Sequence, residues 1–392
     1  MARNIAVGID IGTYQIKVVV AELGKEKTTP HIIGMGFAES KGLRHGYIVN
    51  GSDAIKSIKQ AVSQAEKIAK VPIKRAHISV GGIGLSSITS NGVTTVTRAD
   101  LEITDLDIKK AIEVSKNEIP QSFSLNRRIL HTIPLEYKID GQKVFGKLQG
   151  MKGAKLEVKT LFITSLEQHL EELISVVEEA GVEIEDAIAA PIASSLVTLT
   201  KQQKTAGCIL ANIGSETVSI AVFENNIPAS LEVFPFGSTD ITNDIALGLK
   251  VSLEEAERLK VGGTIDSNQS RKKLDEIIVA RLSDIFELIE AHLKKIGRNG
   301  LLPAGIIITG GGSGIATIED FAKASLKLPS RIGNIAFGPS LGDRFKDATW
   351  SVAYGLCILG LSGESDGMKH GAGLQGKEVI TNVGRWFKQF LP

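Results

Sequence analysis

Two stretches of this chain, Ile5 to Val20 and Gly207 to Phe223, carry one pattern without a gap: an apolar strand, a short turn with glycine and hydroxyl residues, and an alternating strand leading away. The first reads Asp10-Ile11-Gly12-Thr13-Tyr14-Gln15-Ile16-Lys17-Val18, and the second Asn212-Ile213-Gly214-Ser215-Glu216-Thr217-Val218-Ser219-Ile220. Glycine tolerates φ > 0 and adds no side chain, so backbone N–H groups in such a turn can lie close to phosphate oxygens. One such turn alone is more often only a tight β-hairpin. One in each half of the chain favours a pair that grips a polyphosphate from opposite sides.

Length agrees with a duplicated plan, since 392 residues at roughly 100 to 200 per domain make two lobes or more. The 45 basic residues face 44 acidic ones, leaving no cationic excess for a nucleic-acid backbone, and none is expected as a partner. Cys208 and Cys357 both sit in apolar runs and are read as reduced core residues. The N-terminal strand meets Asp10 too early for a signal peptide. The longest late apolar run, Val352 to Leu361, is shorter than the roughly 20 residues that span a bilayer, so a cytosolic chain with no membrane crossing is expected.

A third glycine cluster, Gly310-Gly311-Gly312-Ser313-Gly314, follows the apolar run Gly305 to Thr309 and precedes a helical stretch, Ile318 to Ser325. Strand, glycine turn and helix start can bring bare backbone against a nucleoside or phosphate, although such turns are also common as plain connections. No Gly-Lys-Ser/Thr follows, and the cluster does not open a first βαβ unit, so the P-loop and dinucleotide folds are disfavoured. Ser252 to Lys260 reads as a charged helix whose Glu257 and Lys260 share a face, by pattern alone an exposed ion pair of little weight.

Together these features resemble the actin, chaperone and sugar-kinase superfamily and, within it, the FtsA family over nearly the whole length. The resemblance is carried by Gly42-Leu43-Arg44-His45-Gly46-Tyr47-Ile48-Val49-Asn50, Pro191-Ile192-Ala193-Ser194-Ser195, Asp240-Ile241-Thr242-Asn243-Asp244-Ile245-Ala246, Ala256-Glu257-Arg258-Leu259-Lys260 and Ala280-Arg281-Leu282. It implies an α/β, actin-like (ribonuclease H-like) two-lobed ATPase fold with an inserted small α+β subdomain, called 1C and SHS2-like. The divisions expected are 1–85 with 165–205 (1A), 86–164 (1C), 206–244 with 305–361 (2A) and 245–304 (2B). A flexible linker over 362–376 and an amphipathic helix over 377–392 would follow.

The resemblance further implies an ATP site. Gly12, Thr13, Tyr14 and Lys17 would form one phosphate hairpin and Gly214, Ser215, Glu216 and Thr217 the other. Gly237 would lie near the phosphates, with Glu257, Lys260, Gly310, Gly311, Gly312 and Ser313 around adenosine. Asp10 would hold Mg²⁺ through its water shell, with Asn212 beside it. Asn212 stands where many relatives have Asp, and Ala190 where chaperone and actin relatives place Glu or Gln to orient the attacking water. Neither can act as a general base, so ATP binding with slow or absent hydrolysis is expected.

Residues Ser362 to Gln375 are rich in Gly and polar residues, as a flexible tether requires. Beyond them, at about 100° per residue, Val379, Ile380, Val383, Trp386, Phe387, Phe390 and Leu391 fall on one arc and Arg385 and Lys388 on the other. Such a helix can lie in the headgroup layer with its cations near anionic lipid; a terminal helix docked on the body is the alternative. Family resemblance favours the membrane and implies a cytoskeletal adaptor on the cytoplasmic face of the cell membrane at the septum. It would polymerise with ATP, tether the C-terminal peptide of FtsZ on subdomain 2B, with Arg281 as a contact, and meet other division proteins. Rival readings are a PilM-like platform of type IV pilus assembly, and a small-molecule kinase for which the sequence offers no evident carboxylate base.

Overall fold

The computed structural model describes residues 4–24, 30–264, 268–335 and 347–364. The membrane-binding positions expected in 377–392, and residues 365–376 of the linker, lie outside the described residues.

The chain opens with an antiparallel meander, β1 (Asn4–Ile11), β2 (Gln15–Leu23) and β3 (His31–Glu39). A small hairpin, β4 (Leu43–Arg44) and β5 (Tyr47–Ile48), leads into helix α1 (Gly51–Ala69). Asn50 caps this helix by accepting a hydrogen bond from the Asp53 N–H, and the apolar stripe of α1 packs on β3. A Cβ on Gly36 would sit 2.0 Å from the Ala61 carbonyl oxygen, so only glycine in β3 lets the helix lie this close. The parallel strand β6 (Arg75–Val80) completes the first pass through the sheet.

Next comes a unit with its own sheet: β7 (Ser86–Thr95), α2 (Asp105–Asn117), the short α3 (Gln121–Ser124), β8 (Arg127–Ile139), β9 (Gln142–Val144) and β10 (Lys155–Leu166). Its strands run in the order β7-β10-β8-β9, with α2 packed on β7 and β10. Ile103, Ala111, Leu148, Leu156 and Val158 bury a separate small core. The β8–β9 turn at Asp140-Gly141 has positive φ at both residues, matching the right-handed twist of a two-residue hairpin. Thr104 starts α2, its N–H and hydroxyl both donating to the Asp107 carboxylate.

The chain returns through α4 (Glu167–Glu179), β11 (Glu183–Ala189), α5 (Ala190–Thr198) and α6 (Lys201–Ala206). A second meander follows, β12 (Cys208–Ile213), β13 (Val218–Glu224) and β14 (Ile227–Phe234), then helices α7 (Ser238–Leu249), α8 (Leu253–Lys260) and α9 (Asn268–Lys295). Strand β15 (Ile306–Thr309), α10 (Ile318–Leu326), β16 (Ser330–Ile332) and α11 (Ser351–Glu364) end the described chain.

The two large sheets share one plan. Their orders, β11-β6-β1-β2-β3 and β16-β15-β12-β13-β14, each set an antiparallel meander beside two parallel strands. Register matches as well: Asp10 faces Lys17 and Ile11 faces Ile16 in the first, Asn212 faces Ser219 and Ile213 faces Val218 in the second. Helix α5 lies between the sheets, and one buried apolar cluster runs from Ile9 and Val80 through Ile192 to Leu210, Ala221 and Ile307.

Three expected divisions differ from what is seen. Residues 351–361, grouped with the second lobe, belong to α11, which packs on β1, β2 and α5 of the first, burying Ala353, Cys357 and Leu361 against Ala6 and Val19. The division at 244/245 falls inside the continuous helix α7. Residues 362–364, placed at the start of the expected tether, belong to α11. Cys208 and Cys357 are buried free thiols, as expected.

Candidate functional site

Asp10 ends β1, and the pairing of β1 with β2 sets it across from Lys17. Ser79, at the end of β6, orients it: the Ser79 hydroxyl donates to Asp10 Oδ1 at 2.9 Å and accepts from the Ile11 N–H at 3.0 Å. Burial raises the Asp10 pKa from its ordinary value, outweighing the nearby Lys17 charge and the Ser79 hydrogen bond. Burial likewise lowers the Lys17 pKa, with Asp10 and Asp347 opposing. Each charged form therefore gains from a further opposite charge, a cation at Asp10 and an anion at Lys17. Lys17 Nζ donates to the Thr349 carbonyl at 2.9 Å and lies 5.7 Å from the Trp350 ring centroid. Tyr14, at the tip of this hairpin, is 68% exposed, so its side chain is free to cover a ligand.

The second hairpin closes with the Gly214 N–H donating to the Thr217 carbonyl at 2.9 Å. The start of α7 is docked on it: the Ser238 and Thr239 N–H groups donate to the Gly214 and Ser215 carbonyls at 2.9 and 2.8 Å. A Cβ on Gly237 would meet the Ser215 carbonyl oxygen at 2.2 Å, so this approach needs glycine. Asp240 accepts from the Gly237 N–H at 2.8 Å.

Glu257 and Lys260 are more than the exposed pair that pattern alone suggests. Lys260 is 6% exposed and donates to the Ser238 carbonyl, the Thr242 hydroxyl and Glu257 Oε2 at 3.1, 2.9 and 2.7 Å. Thr242 also donates to Glu257 at 2.6 Å. Burial pushes the Glu257 carboxyl up, but hydrogen bonds from Lys260 and Thr242 outweigh it and hold it below the ordinary value. The pair ties α8 to α7, and through Ser238 to the second hairpin. Helical spacing shows the pair but not the wall of α7 that closes over it.

The Gly310 to Gly314 segment forms a 3₁₀ turn, Gly311–Gly314, after β15. Gly310 has φ +85°, and a Cβ there would lie 2.3 Å from Asn212 Oδ1; one on Gly312 would lie 2.4 Å from Ile213 Cγ2. Gly311 is exposed and a Cβ on it would meet nothing within 4 Å. Two glycines thus let the turn lie on β12, while the third leaves bare backbone facing outward. Ser313 spends its hydroxyl on the Gly310 carbonyl, at 2.7 Å.

Short contacts link these parts. The His45 N–H donates to Glu216 Oε2, and His45 Nδ1 lies 3.1 Å from the Glu216 carbonyl. The Ser40 N–H, on the same connection, donates to the Tyr14 carbonyl at 2.9 Å, which links the tips of the two hairpins through one short segment. On the other side, the 3₁₀ turn Ala348–Trp350, which takes up Lys17, touches the glycine turn. Ser79 and Thr349 were not singled out in the sequence, and His45 and Thr242 stood there only within segments that carry the resemblance, with no role assigned. Ser79 is 69 positions from Asp10 and Thr349 is 332 from Lys17, so only the folded chain brings them in.

The donor set suits a magnesium ion held through water. Asp10 offers an oriented carboxylate, and Asn212 Oδ1 offers a neutral acceptor beside the glycine turn. No cluster of three or more Asp, Glu, His or Cys is present among the described residues. Phosphate oxygens and water would complete such a shell.

Arg281, on α9, is not a free surface charge. Its guanidinium holds Asp244 of α7 through two hydrogen bonds, 2.7 and 3.1 Å, and lies 5.9 Å from the Phe236 ring centroid. Ala190 is buried at the start of α5, where its methyl can activate no water.

The chain is similar to known proteins along nearly all its length. Residues 209–355 match the model for the cell division protein FtsA, and residues 82–164 match the model for the SHS2 domain inserted in FtsA. Cell division protein FtsA of Borreliella burgdorferi is 30% identical, with 91% of each chain covered. That of Bacillus subtilis is 31% identical over 85% of this chain and 79% of its own, and that of Pseudomonas aeruginosa 29% over 92% and 90%. Among solved structures, a PilM–PilN type IV pilus biogenesis complex superposes with TM-score 0.68 at 16% identity, covering 91% of this chain and 98% of that one. MreB5 of Spiroplasma citri bound to AMPPNP gives 0.51 at 12%, covering 92% and 97%. The fold is actin-like, with an inserted SHS2 subdomain.

Proposed function

Because the chain belongs to the FtsA family of cell-division proteins, we propose that it binds ATP with Mg²⁺ between its lobes, polymerises, and tethers FtsZ filaments to the cytoplasmic face of the cell membrane at the septum. The observation that carries the nucleotide part is the pair of equivalent hairpins whose tips are linked through Ser40, His45 and Glu216. Lys17 and the backbone of both turns would hold the phosphates. Gly311, with open space above it, would lie against adenosine within reach of the Glu257–Lys260 wall. Asp10 would orient a water of the metal shell. With Ala190 and Asn212 in place of acidic or amide side chains, the cleft holds ATP and turns it over slowly. Comparing bound nucleotide with released phosphate checks this, and brisk turnover contradicts it.

No helix among the described residues is long and apolar enough to cross a membrane. The amphipathic pattern of 377–392 supports peripheral attachment to anionic lipid through Val379, Ile380, Val383, Trp386, Phe387, Phe390 and Leu391, with Arg385 and Lys388 near the headgroups. The FtsZ peptide would dock on the second-lobe helices, with Arg281, paired with Asp244 and Asp284 and 23% exposed, as a candidate contact. Other division proteins would join the same assembly. Electron microscopy of the full chain on an anionic lipid monolayer with ATP and the FtsZ peptide tests the whole reading. Filaments on the lipid that recruit the peptide support it. Filaments absent from lipid, or a peptide left in solution, point to the pilus-platform alternative, whose fold is shared.

A further inference from the structure

The inserted sheet leaves the first lobe at one narrow root, and that root is fastened across the cleft at two places. On one side, His45 holds Glu216 of the second hairpin. Behind His45, the backbone is packed on the root: the Ile83 N–H donates to the His45 carbonyl at 3.2 Å, and a Cβ on Gly82 would meet that oxygen at 2.7 Å. The next carbonyl along, that of Gly84, takes the N–H of Leu166 at the end of β10 and Arg127 Nη2 at the start of β8, at 3.2 and 2.7 Å. Arg127 also reaches Ser86 of β7, and its Nε donates to Thr164 of β10 at 2.9 Å. One guanidinium thus gathers the three strands where they leave the lobe. On the other side, Ser87 of β7 donates to the Leu231 carbonyl of β14 and accepts from the Leu231 N–H, both at 2.8 Å. Strand β14 is the outer edge of the second sheet, so this staple ties the root to the second lobe directly.

We propose that these two staples make the root a relay: when nucleotide draws the lobes together, the His45–Glu216 and Ser87–Leu231 contacts pass the movement to β7, β8 and β10 and set the inserted sheet's orientation. This rests on the nucleotide reading above. A sheet fastened to one lobe alone would ride with it; fastened to both, it must shift when the angle between them changes. The coupling has a physical carrier, a short run of packed backbone and one arginine, rather than mere proximity.

Backbone hydrogen exchange on the full-length protein, with and without ATP and Mg²⁺, tests it. In the parent protein, nucleotide slows exchange in both hairpins and, by about fivefold, at the root segments around Ser86 and Arg127. In the double variant Gly82→Ala with Ser87→Ala, which wedges the His45 backbone off the root and removes both bonds to Leu231, hairpin protection persists while the root response disappears; Ser87→Ala alone weakens it. A root response that survives both variants overturns the relay and leaves the nucleotide reading intact. A parent protein in which ATP protects neither hairpin overturns both. If the double variant proves unfolded by circular dichroism, Ser87→Ala alone carries the decision: a weakened root response supports the relay and an unchanged one overturns it.

Discussion

The two lobes use one backbone plan to different electrostatic ends. In the first hairpin, the facing positions before the turn are Asp10 and Lys17; in the second, the same positions are Asn212 and Ser219. The charged pair depends on neighbours far along the chain, Ser79 and Thr349, to hold it. The second hairpin is neutral at those positions; its turn carboxylate, Glu216, accepts the His45 N–H, and α7 is seated on its turn with Lys260 bonded beneath. The shared plan thus carries two different hairpins: one places charge at the facing positions, the other is set in a rigid backbone frame.

That contrast predicts its largest effect at Lys17. Lys17→Met leaves the Asp10 carboxylate without its partner and is expected to cost about 3 kcal/mol in chemical denaturation. Ser219→Ala at the equivalent place should cost well under about 1 kcal/mol. Equal losses would mean that the lobes are braced alike.

A second difference is titratable. Buried His131, in β8, accepts the Ala189 N–H at 3.0 Å just before α5, and burial pushes its imidazole pKa down to about 4. Its folded pKa lies below its unfolded one, so the stability it supports is present above about pH 6.5 and is lost as pH falls through about 4. Acid should therefore cost up to about 3 kcal/mol through this residue, and His131→Gln, which keeps an acceptor without titrating, should make the stability–pH curve measured by denaturant midpoint shallower, with His77 and His292 still titrating.

In the second lobe, Thr242→Val removes one partner each from Lys260 and Glu257. It should lower stability by about 1–2 kcal/mol and weaken nucleotide binding, read by calorimetry. The smallest structural effect belongs to Gly311→Ala. Its methyl meets nothing in the protein, so stability should hold within about 0.5 kcal/mol while ATP affinity falls. Unchanged affinity would remove this turn from the adenosine wall.

The duplicated meander was legible in the sequence because strand alternation and turn chemistry are local, and both hairpins align in register as the gapless echo implied. The inserted unit came from family resemblance, and its helix start at Thr104 and turn at Asp140-Gly141 fit short local motifs. What escaped was non-local. Nothing near Asp10 announces Ser79, and nothing near Glu216 announces His45. The helix α11 was assigned to the wrong lobe because its all-round apolar sequence shows that it is buried, not against which sheet. The burial of Lys260 likewise depends on α7 folding back over α8, which helical spacing cannot show.

Equilibrium titration of the full-length protein with ATP and Mg²⁺ bears on the central claim most directly, comparing the parent with Lys17→Ala in one hairpin and Thr217→Val in the other. The two-hairpin grip predicts one ATP per chain and weaker binding in both variants, by about tenfold or more for Lys17→Ala. Absence of saturable binding, or an affinity that ignores the second hairpin, would contradict it.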